Sequence, residues 1–227
     1  MNIHKAIDYL TKSSDAGNCY SSYILGLLYE NGEKVKSNFD TAFIFYSKMG
    51  DRGNFHGYNR IGFCYENGYG VKKNLDESIK NYKKAADAGN IFALLNLGNL
   101  YYKDKNNLAF QYFKNASTLN AYAMFMLGNC YFNGIGVDQD YSRAAAYYKK
   151  ASRNGNSEAK NMLGYCYYNG KGRDIKYKKA FDLYKESAKL GCYDAMNNLA
   201  YCYLYGKCIG TQKNCDKALK YFKKAAE

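Results

Sequence analysis

Eight cysteines, two histidines and three Gly-x-Gly triplets are the residues of this 227-residue chain whose types could do chemistry. A cysteine becomes a nucleophile or metal ligand when a nearby cation or metal holds it as thiolate. Cys64, Cys130, Cys166 and Cys202 each lie two residues after a recurring Gly, or Ala in the last case. They are therefore one structural position used four times. Leu28 and Leu100 fill the same position elsewhere, which predicts small, buried, apolar free thiols. His4 and His56 are the only imidazoles, and neither lies near a Ser or Cys in a nucleophile context. His56 opens a helical segment, where a surface or capping role is expected. Gly68-x-Gly70, Gly134-x-Gly136 and Gly170-x-Gly172 could cradle a phosphate, but they follow a helical pattern and lack the Gly-Lys-Ser/Thr ending. The carboxylates form no paired set. No catalytic residue, cofactor site or metal site is expected, and Cys208 with Cys215, flanking an enlarged loop, is the one place for a local disulfide or metal pair.

The elements that hold these residues repeat. Gly26, Gly62, Gly98, Gly128, Gly164 and Ala200 are spaced 36, 36, 30, 36 and 36 residues apart, each with Tyr three residues on. A period in this range means stacked repeats. In the fifth copy, Ala159, Met162, Leu163, Cys166 and Tyr167 follow helical spacing, which predicts a helix A over 157–169. Ala180, Leu183, Tyr184, Ser187 and Ala188 form a second stripe, helix B, ending at Gly191 in the left-handed cap position. Tyr165-Cys-Tyr-Tyr-Asn-Gly alone would suit a strand entering a hairpin turn. The six-fold recurrence and the helical period outweigh it, so Asn-Gly ends helix A and Gly-x-Gly is the loop to helix B. The mid-helix Gly is expected to let a neighbouring helix approach closely, so that Gly128→Leu unstacks adjacent repeats.

The formal charge is +13, much of it in pairs such as Lys83-Lys84, Lys149-Lys150, Lys178-Lys179 and Lys223-Lys224. Most of these fall in or beside helix B, where a solvated outer face is the expectation and a nucleic-acid or anionic-membrane footprint the alternative. The N-terminus has no signal-peptide pattern. The uncharged run 116–137 contains Asn120, Asn129 and Asn133 with three Gly, which makes insertion in a bilayer costly. A cytoplasmic protein is expected, and with it no disulfide framework.

Ala123-x3-Leu127-Gly128-x2-Tyr131-x2-Gly134-x-Gly136-Val137, then Ala144-x3-Tyr148-x2-Ala151 and Gly155, resembles the Sel1-like repeat family, a relative of the tetratricopeptide repeats. Equivalent positions cover nearly the whole chain. The resemblance implies an all-α fold, a right-handed α/α solenoid of stacked helical hairpins. The chain then reads as one domain with repeats at about 3–18 (helix B only), 19–54, 55–90, 91–120, 121–156, 157–192 and 193–227. The third repeat lacks the Gly-x-Gly loop, where a change of superhelical pitch is expected, and the sixth lengthens it. Neither end shows a polar capping repeat, so continuation or end-to-end self-association is expected.

In such solenoids helix A lines the concave face. Its residues opposite the core stripe are unusually rich in Asn and aromatics: Asn59, Phe63, Glu66, Asn99, Phe125, Asn129, Asn161, Tyr165, Tyr168, Asn197 and Tyr201. Asn offers both donor and acceptor to an extended main chain, and aromatics supply anchoring area. These residues are expected to form the partner-binding face of a non-enzymatic scaffold or adaptor for a protein or peptide. The alternatives are burial of this face by tight curvature, a nucleic-acid binder using the basic face, and an enzyme of the cysteine-rich, β-lactamase-like Sel1 kind. The last needs paired, oxidised thiols, and the recurring Cys has no recurring partner in helix B.

Overall fold

Each repeat becomes a helical hairpin because its punctuation is explicit in the chain. The computed structural model describes residues 3–118, 120–206 and 213–226, and among these there are thirteen α-helices and no strand. The chain divides into two compact units, Met1–Leu97 and Gly98–Glu227. The first holds α1 (Ile3–Asp15), α2 (Cys19–Asn31), α3 (Phe39–Asp51), α4 (Phe55–Asn67), α5 (Leu75–Asp87) and the start of α6 (Ile91–Lys103). The second holds the end of α6 and α7 (Leu108–Ala116), α8 (Ala121–Asn133), α9 (Tyr141–Arg153), α10 (Ser157–Asn169), α11 (Tyr177–Lys189), α12 (Tyr193–Tyr205) and α13 (Cys215–Ala226). Even-numbered helices are the A helices and odd-numbered ones the B helices. Both units are solenoid stacks: α2, α4, α8, α10 and α12 each pack on the B helix of their own hairpin, Gly98 of α6 meets Phe113 of α7, and α1, α3, α7, α9 and α11 pack on the A helix that follows.

Asparagine sets the helix starts. Asn18, Asn54, Asn90 and Asn156 follow the Gly that ends a B helix, Asn120 opens α8 without such a Gly, and each carbonyl accepts from backbone N–H of the next A helix. Asn38, Asn74 and Asp140 do the same for B helices. Each cap satisfies donors that would otherwise lack a partner, typically worth about 1 kcal/mol. Gly134 closes α8 in the left-handed conformation, φ 68°. Two residues on, Gly136 (φ 70°) lies so close to the start of α7 that a Cβ would stand 2.6 Å from the Asn107 carbonyl oxygen. The Gly-x-Gly loop is thus a joint between successive repeats.

The recurring mid-helix Gly also serves packing, but between different partners than the sequence suggests. A Cβ on Gly62, Gly98, Gly128 or Gly164 would lie 2.7, 2.5, 2.6 or 2.8 Å from a ring carbon of Tyr82, Phe113, Tyr148 or Tyr184. Each ring comes from the B helix of the same hairpin, not from a neighbouring repeat. The Gly is a seat for that ring, which is at most 2% exposed in all four cases. The Tyr three residues after the seat joins the repeats. Tyr131 stacks on Tyr147 of its own hairpin (centroids 5.5 Å apart) and takes Phe110 of the preceding B helix edge-on (5.5 Å). Tyr203 repeats the arrangement with Tyr221 and Phe181. Such aromatic pairs add about 0.5–1.5 kcal/mol each beyond burial.

Cys64, Cys130, Cys166 and Cys202 are all buried. The first three are free thiols, as expected, but Cys202 is disulfide-bonded, which corrects the free-thiol expectation there. Cys215 is free and exposed, and Cys208 lies outside the described residues. No helix among the described residues is long and apolar enough to cross a membrane.

Candidate functional site

The A helices of successive repeats approach one another closely. In the second unit α10 touches α12 directly. An asparagine rung marks the approach: Asn198 Nδ2 donates to Asn161 Oδ1 at 2.9 Å, and in the first unit Asn96 Nδ2 donates to Asn59 Oδ1 at 3.1 Å. Both rungs join the residue three before one anchor to the residue two before the next.

Each unit has a concavity beside its rung. In the first, a groove of about 660 Å³ is lined by Tyr20, Tyr23, Asn59, Arg60, Phe63 and Asn96 among others. In the second, a cavity of about 220 Å³ is lined by Tyr165, Tyr168, Tyr184, Asn198, Tyr201 and Tyr205 among others. Of the residues the sequence nominates, Asn59 and Phe63 thus reach the first concavity and Tyr165, Tyr168 and Tyr201 the second.

The remaining nominated residues do other work or stand apart. Tyr82, buried on α5, donates its hydroxyl to Glu66 Oε2 at 2.8 Å, and Tyr148 on α9 donates to Asn129 Oδ1 at 2.8 Å. Burial raises both phenols well above their ordinary pKa, so they remain donors. Glu66 and Asn129 are therefore ties that satisfy a buried tyrosine. Asn99 accepts from the Tyr122 hydroxyl at 3.0 Å, and Phe125 packs against Tyr148 and Tyr122. Asn161 is buried in its rung, and Asn197 is half-buried.

Sequence reasoning missed Arg60. Its Nη2 donates to Glu30 Oε2 and to the Tyr46 hydroxyl (3.0 Å), while Tyr46 itself donates to Glu30 at 2.5 Å. The guanidinium stacks on Tyr46 and Phe63, 4.9 and 5.4 Å from their centroids. Arg60 Nε is buried without a partner. Asn96 and Asn198 were missed too, although each lies 37 residues after an Asn nominated from sequence, a spacing that could have revealed the rungs.

Cys19 and His56 line the first groove, and the recurring thiols lie outside both concavities. Burial pushes the thiols of Cys64, Cys130 and Cys166 up to about 12, 12 and 11, which keeps them protonated and inert. His56 is exposed at the rim of the first groove, its Nδ1 3.4 Å from Asn90 Nδ2, and the cap of α4 is Asn54 instead. Among the described residues no group of three or more His, Cys, Asp or Glu is placed to hold a metal ion.

The Sel1 repeat matches this sequence over residues 2–18, 20–54, 56–90, 91–120, 121–156, 157–192 and 194–227. The chain belongs to the Sel1 repeat family. A Sel1 repeat protein from Oxalobacter formigenes is 31% identical, with 93% of this chain and 86% of that one covered and a TM-score of 0.85. The protein c5321, a protective antigen present in uropathogenic Escherichia coli strains and displaying the same fold, is 28% identical with a TM-score of 0.83. The match covers 97% of this chain but only 48% of c5321, so the chain spans about half that protein's length. The immunity protein Pa5087 from Pseudomonas aeruginosa, 19% identical over 92% of this chain and 81% of its own, shares the fold (TM-score 0.57). No curated protein matches the chain. The Sel1 repeat fold generally serves as a protein-interaction scaffold, and the family is typically non-catalytic.

Proposed function

We propose that this Sel1 repeat chain is a non-enzymatic adaptor that holds an extended segment of a partner protein against its A helices, with the groove of the first unit as the principal seat. The observation that carries the reading is the Asn59–Asn96 rung at the wall of that groove. The rung engages one N–H of Asn96 and the carbonyl of Asn59. The Asn59 N–H groups and the Asn96 carbonyl thus remain to meet a peptide amide, which needs one donor and one acceptor. Tyr20, Phe63 and Phe92 line the same groove, and Tyr20 and Phe92 are 71% and 62% exposed, an uncommon exposure for rings of that size. Rigid aromatics give contact area at low entropic cost.

The enzyme alternative requires paired thiols at the recurring position, whereas three of its four cysteines, Cys64, Cys130 and Cys166, are free and only Cys202 is disulfide-bonded. The test is selection of displayed random peptides, about 12 residues long, on the wild-type protein. The enriched peptides are then measured against a Phe63→Ala/Asn96→Ala variant. Loss of roughly tenfold or more in affinity, with unchanged helicity, is expected. Enriched peptides that bind the variant equally well, or no enrichment at all, would overturn the reading.

A further inference from the structure

The charge of this chain is concentrated on one face of one unit. Residues 98–227 hold 21 Lys and Arg against 10 Asp and Glu, whereas residues 1–97 hold 12 against 10. In the second unit the B helices α7, α9, α11 and α13 carry 13 cations and 3 anions, and the A helices α8, α10 and α12 carry one cation and two anions. The B helices of the first unit, α1, α3 and α5, carry 6 cations and 7 anions. A charge serving solubility alone has no reason to avoid half of the repeats.

The cations are also in register. Arg143, Lys179 and Lys217 occupy one repeat position, directly before Ala144, Ala180 and Ala218. Each lies over the joining tyrosine of its own hairpin: Tyr131 at 5.6 Å, Tyr167 at 4.6 Å and Tyr203 at 5.5 Å. The equivalent residues in the first unit are Lys5, Thr41 and Glu77, so only α1 carries a cation there. Lys149, Lys185 and Lys223 form a second row, and all six side chains are exposed. The anions on this side are few. Glu186 is engaged by Lys160 (2.8 Å) and Asp140 by Arg143 (3.3 Å), both surface pairs that water screens.

We propose that the B-helix face of the second unit docks an acidic polypeptide segment of a partner protein, its carboxylates meeting these two rows. Three observations favour a polypeptide over nucleic acid or lipid. Eleven of the 13 cations are Lys, compact point charges, rather than the Arg forks that suit phosphate. The rings of Tyr131, Tyr167 and Tyr203 are capped by the cations, so bases find no open aromatic platform there. The apolar side of α9 and α11 is spent in packing, with Ala144, Tyr148, Ala180 and Tyr184 buried, so these helices have no free apolar face to lay into a bilayer. The cations step once per repeat, and successive B helices are each separated by an A helix they both pack on, so the step is at least the ~8–10 Å of one helix packing distance. Extended chain covers that step in about three or more residues, while duplex DNA presents a charge every ~1.7 Å of axis. This inference stands apart from the groove of the first unit and fails or holds separately; together the two faces would let one chain bridge two partners.

The experiment is fluorescence anisotropy at about 0.15 M salt with a labelled polyglutamate peptide of about 20 residues. A DNA duplex of equal charge and phosphatidylserine-containing vesicles serve as the competing probes. Arg143→Gln/Lys179→Gln/Lys217→Gln should weaken polyglutamate binding roughly tenfold, three exposed pairs together. Lys149→Gln/Lys185→Gln/Lys223→Gln, which leaves the ring contacts of the first row intact, should act similarly. Neutralising Lys80, Lys83 and Lys84 in the first unit should cost less than twofold. Tighter binding of DNA or vesicles than of polyglutamate, equal loss from the first-unit control, or no loss from either second-unit triple would overturn the proposal.

Discussion

Replacing Gly164 by Ala tests whether the recurring Gly is a seat for a ring or merely a tolerated small residue. By helix propensity alone Gly164→Ala in the middle of α10 would stabilise by about 1 kcal/mol. The structure reverses that expectation. The new Cβ would stand 2.8 and 2.9 Å from Cε1 and Cδ1 of Tyr184 and 3.3 Å from the Ala180 carbonyl oxygen. Carbon atoms settle at about 3.5–4.0 Å, so two ring atoms overlap the methyl by roughly 0.6 Å or more. Tyr184 is 2% exposed and has little room to retreat. Overpacking of this kind costs about 1–3 kcal/mol, leaving a net loss near 1 kcal/mol after the propensity gain. A Tyr184→Leu background separates the two effects. With the ring gone, Gly164→Ala should become stabilising, giving a coupling energy of about 1–3 kcal/mol. Urea unfolding followed by far-UV circular dichroism gives the cycle. Hydrogen exchange in α10 and α11 gives a local readout, because repeat stacks need not open all at once. A stabilised single variant, or the same change in both backgrounds, would refute the reasoning. The last repeat already carries out a version of this experiment: Ala200 takes the seat, and the ring position, Phe222, is half-buried instead of sealed.

Alkaline pH should destabilise the fold from about pH 9 upward. The buried thiols of Cys64, Cys130 and Cys166 are pushed up to about 12, 12 and 11 from the ordinary 9.0. Their contribution is complete below the unfolded value and is lost as pH rises through the folded ones, at up to about 1.4 kcal/mol per pH unit per thiol; between about pH 9 and 10, below the range where the buried phenols of Tyr46, Tyr82, Tyr148 and Tyr184 add to the slope of stability against pH, Cys130→Ala should flatten it by about a third. An aromatic disulfide reagent should modify Cys215, which is exposed, rapidly in the native protein. Cys64, Cys130 and Cys166 should react only after denaturation and Cys202 only after reduction, and fast native reaction of the buried three would show that their burial is wrong.

What the chain alone makes legible is the part of the structure that repeats. The period, the hairpin and the end of helix A at Asn169 follow from spacing, because the same packing problem is solved several times and noise in one copy is corrected by the others. What it hides is which partner a residue serves. Gly128 and Tyr148 belong to helices 20 residues apart in sequence, and no periodicity says that the ring of one fills the notch of the other. The same gap concealed Arg60, whose neighbours Glu30 and Tyr46 come from two other helices. Cys202 shares its repeat position with three free thiols and differs from them only through a bond that no spacing reveals.

The inner-face polar residues show why composition overstates a binding surface. Glu66 and Asn129 look like recognition residues because they are polar and lie opposite the core stripe of an A helix, yet each accepts from a tyrosine hydroxyl that would otherwise be buried without a partner. The tie follows from the seat at Tyr82 and Tyr148: each ring that fills the Gly notch carries its hydroxyl to helix A, where Glu66 or Asn129 accepts it, whereas Tyr184 in the Gly164 notch lines the second cavity instead. Where the ring is Phe113, no hydroxyl arrives, and Asn99, equivalent to Asn129, accepts from Tyr122 instead. Polar identity on this face is therefore set first by the ring on the opposite helix and only then by a ligand. Among the described residues, Phe63, Tyr165 and Tyr201 accept from no such hydroxyl, and Asn59 and Asn96 are tied to each other instead, so under the proposed function these are the positions whose identity a ligand would set.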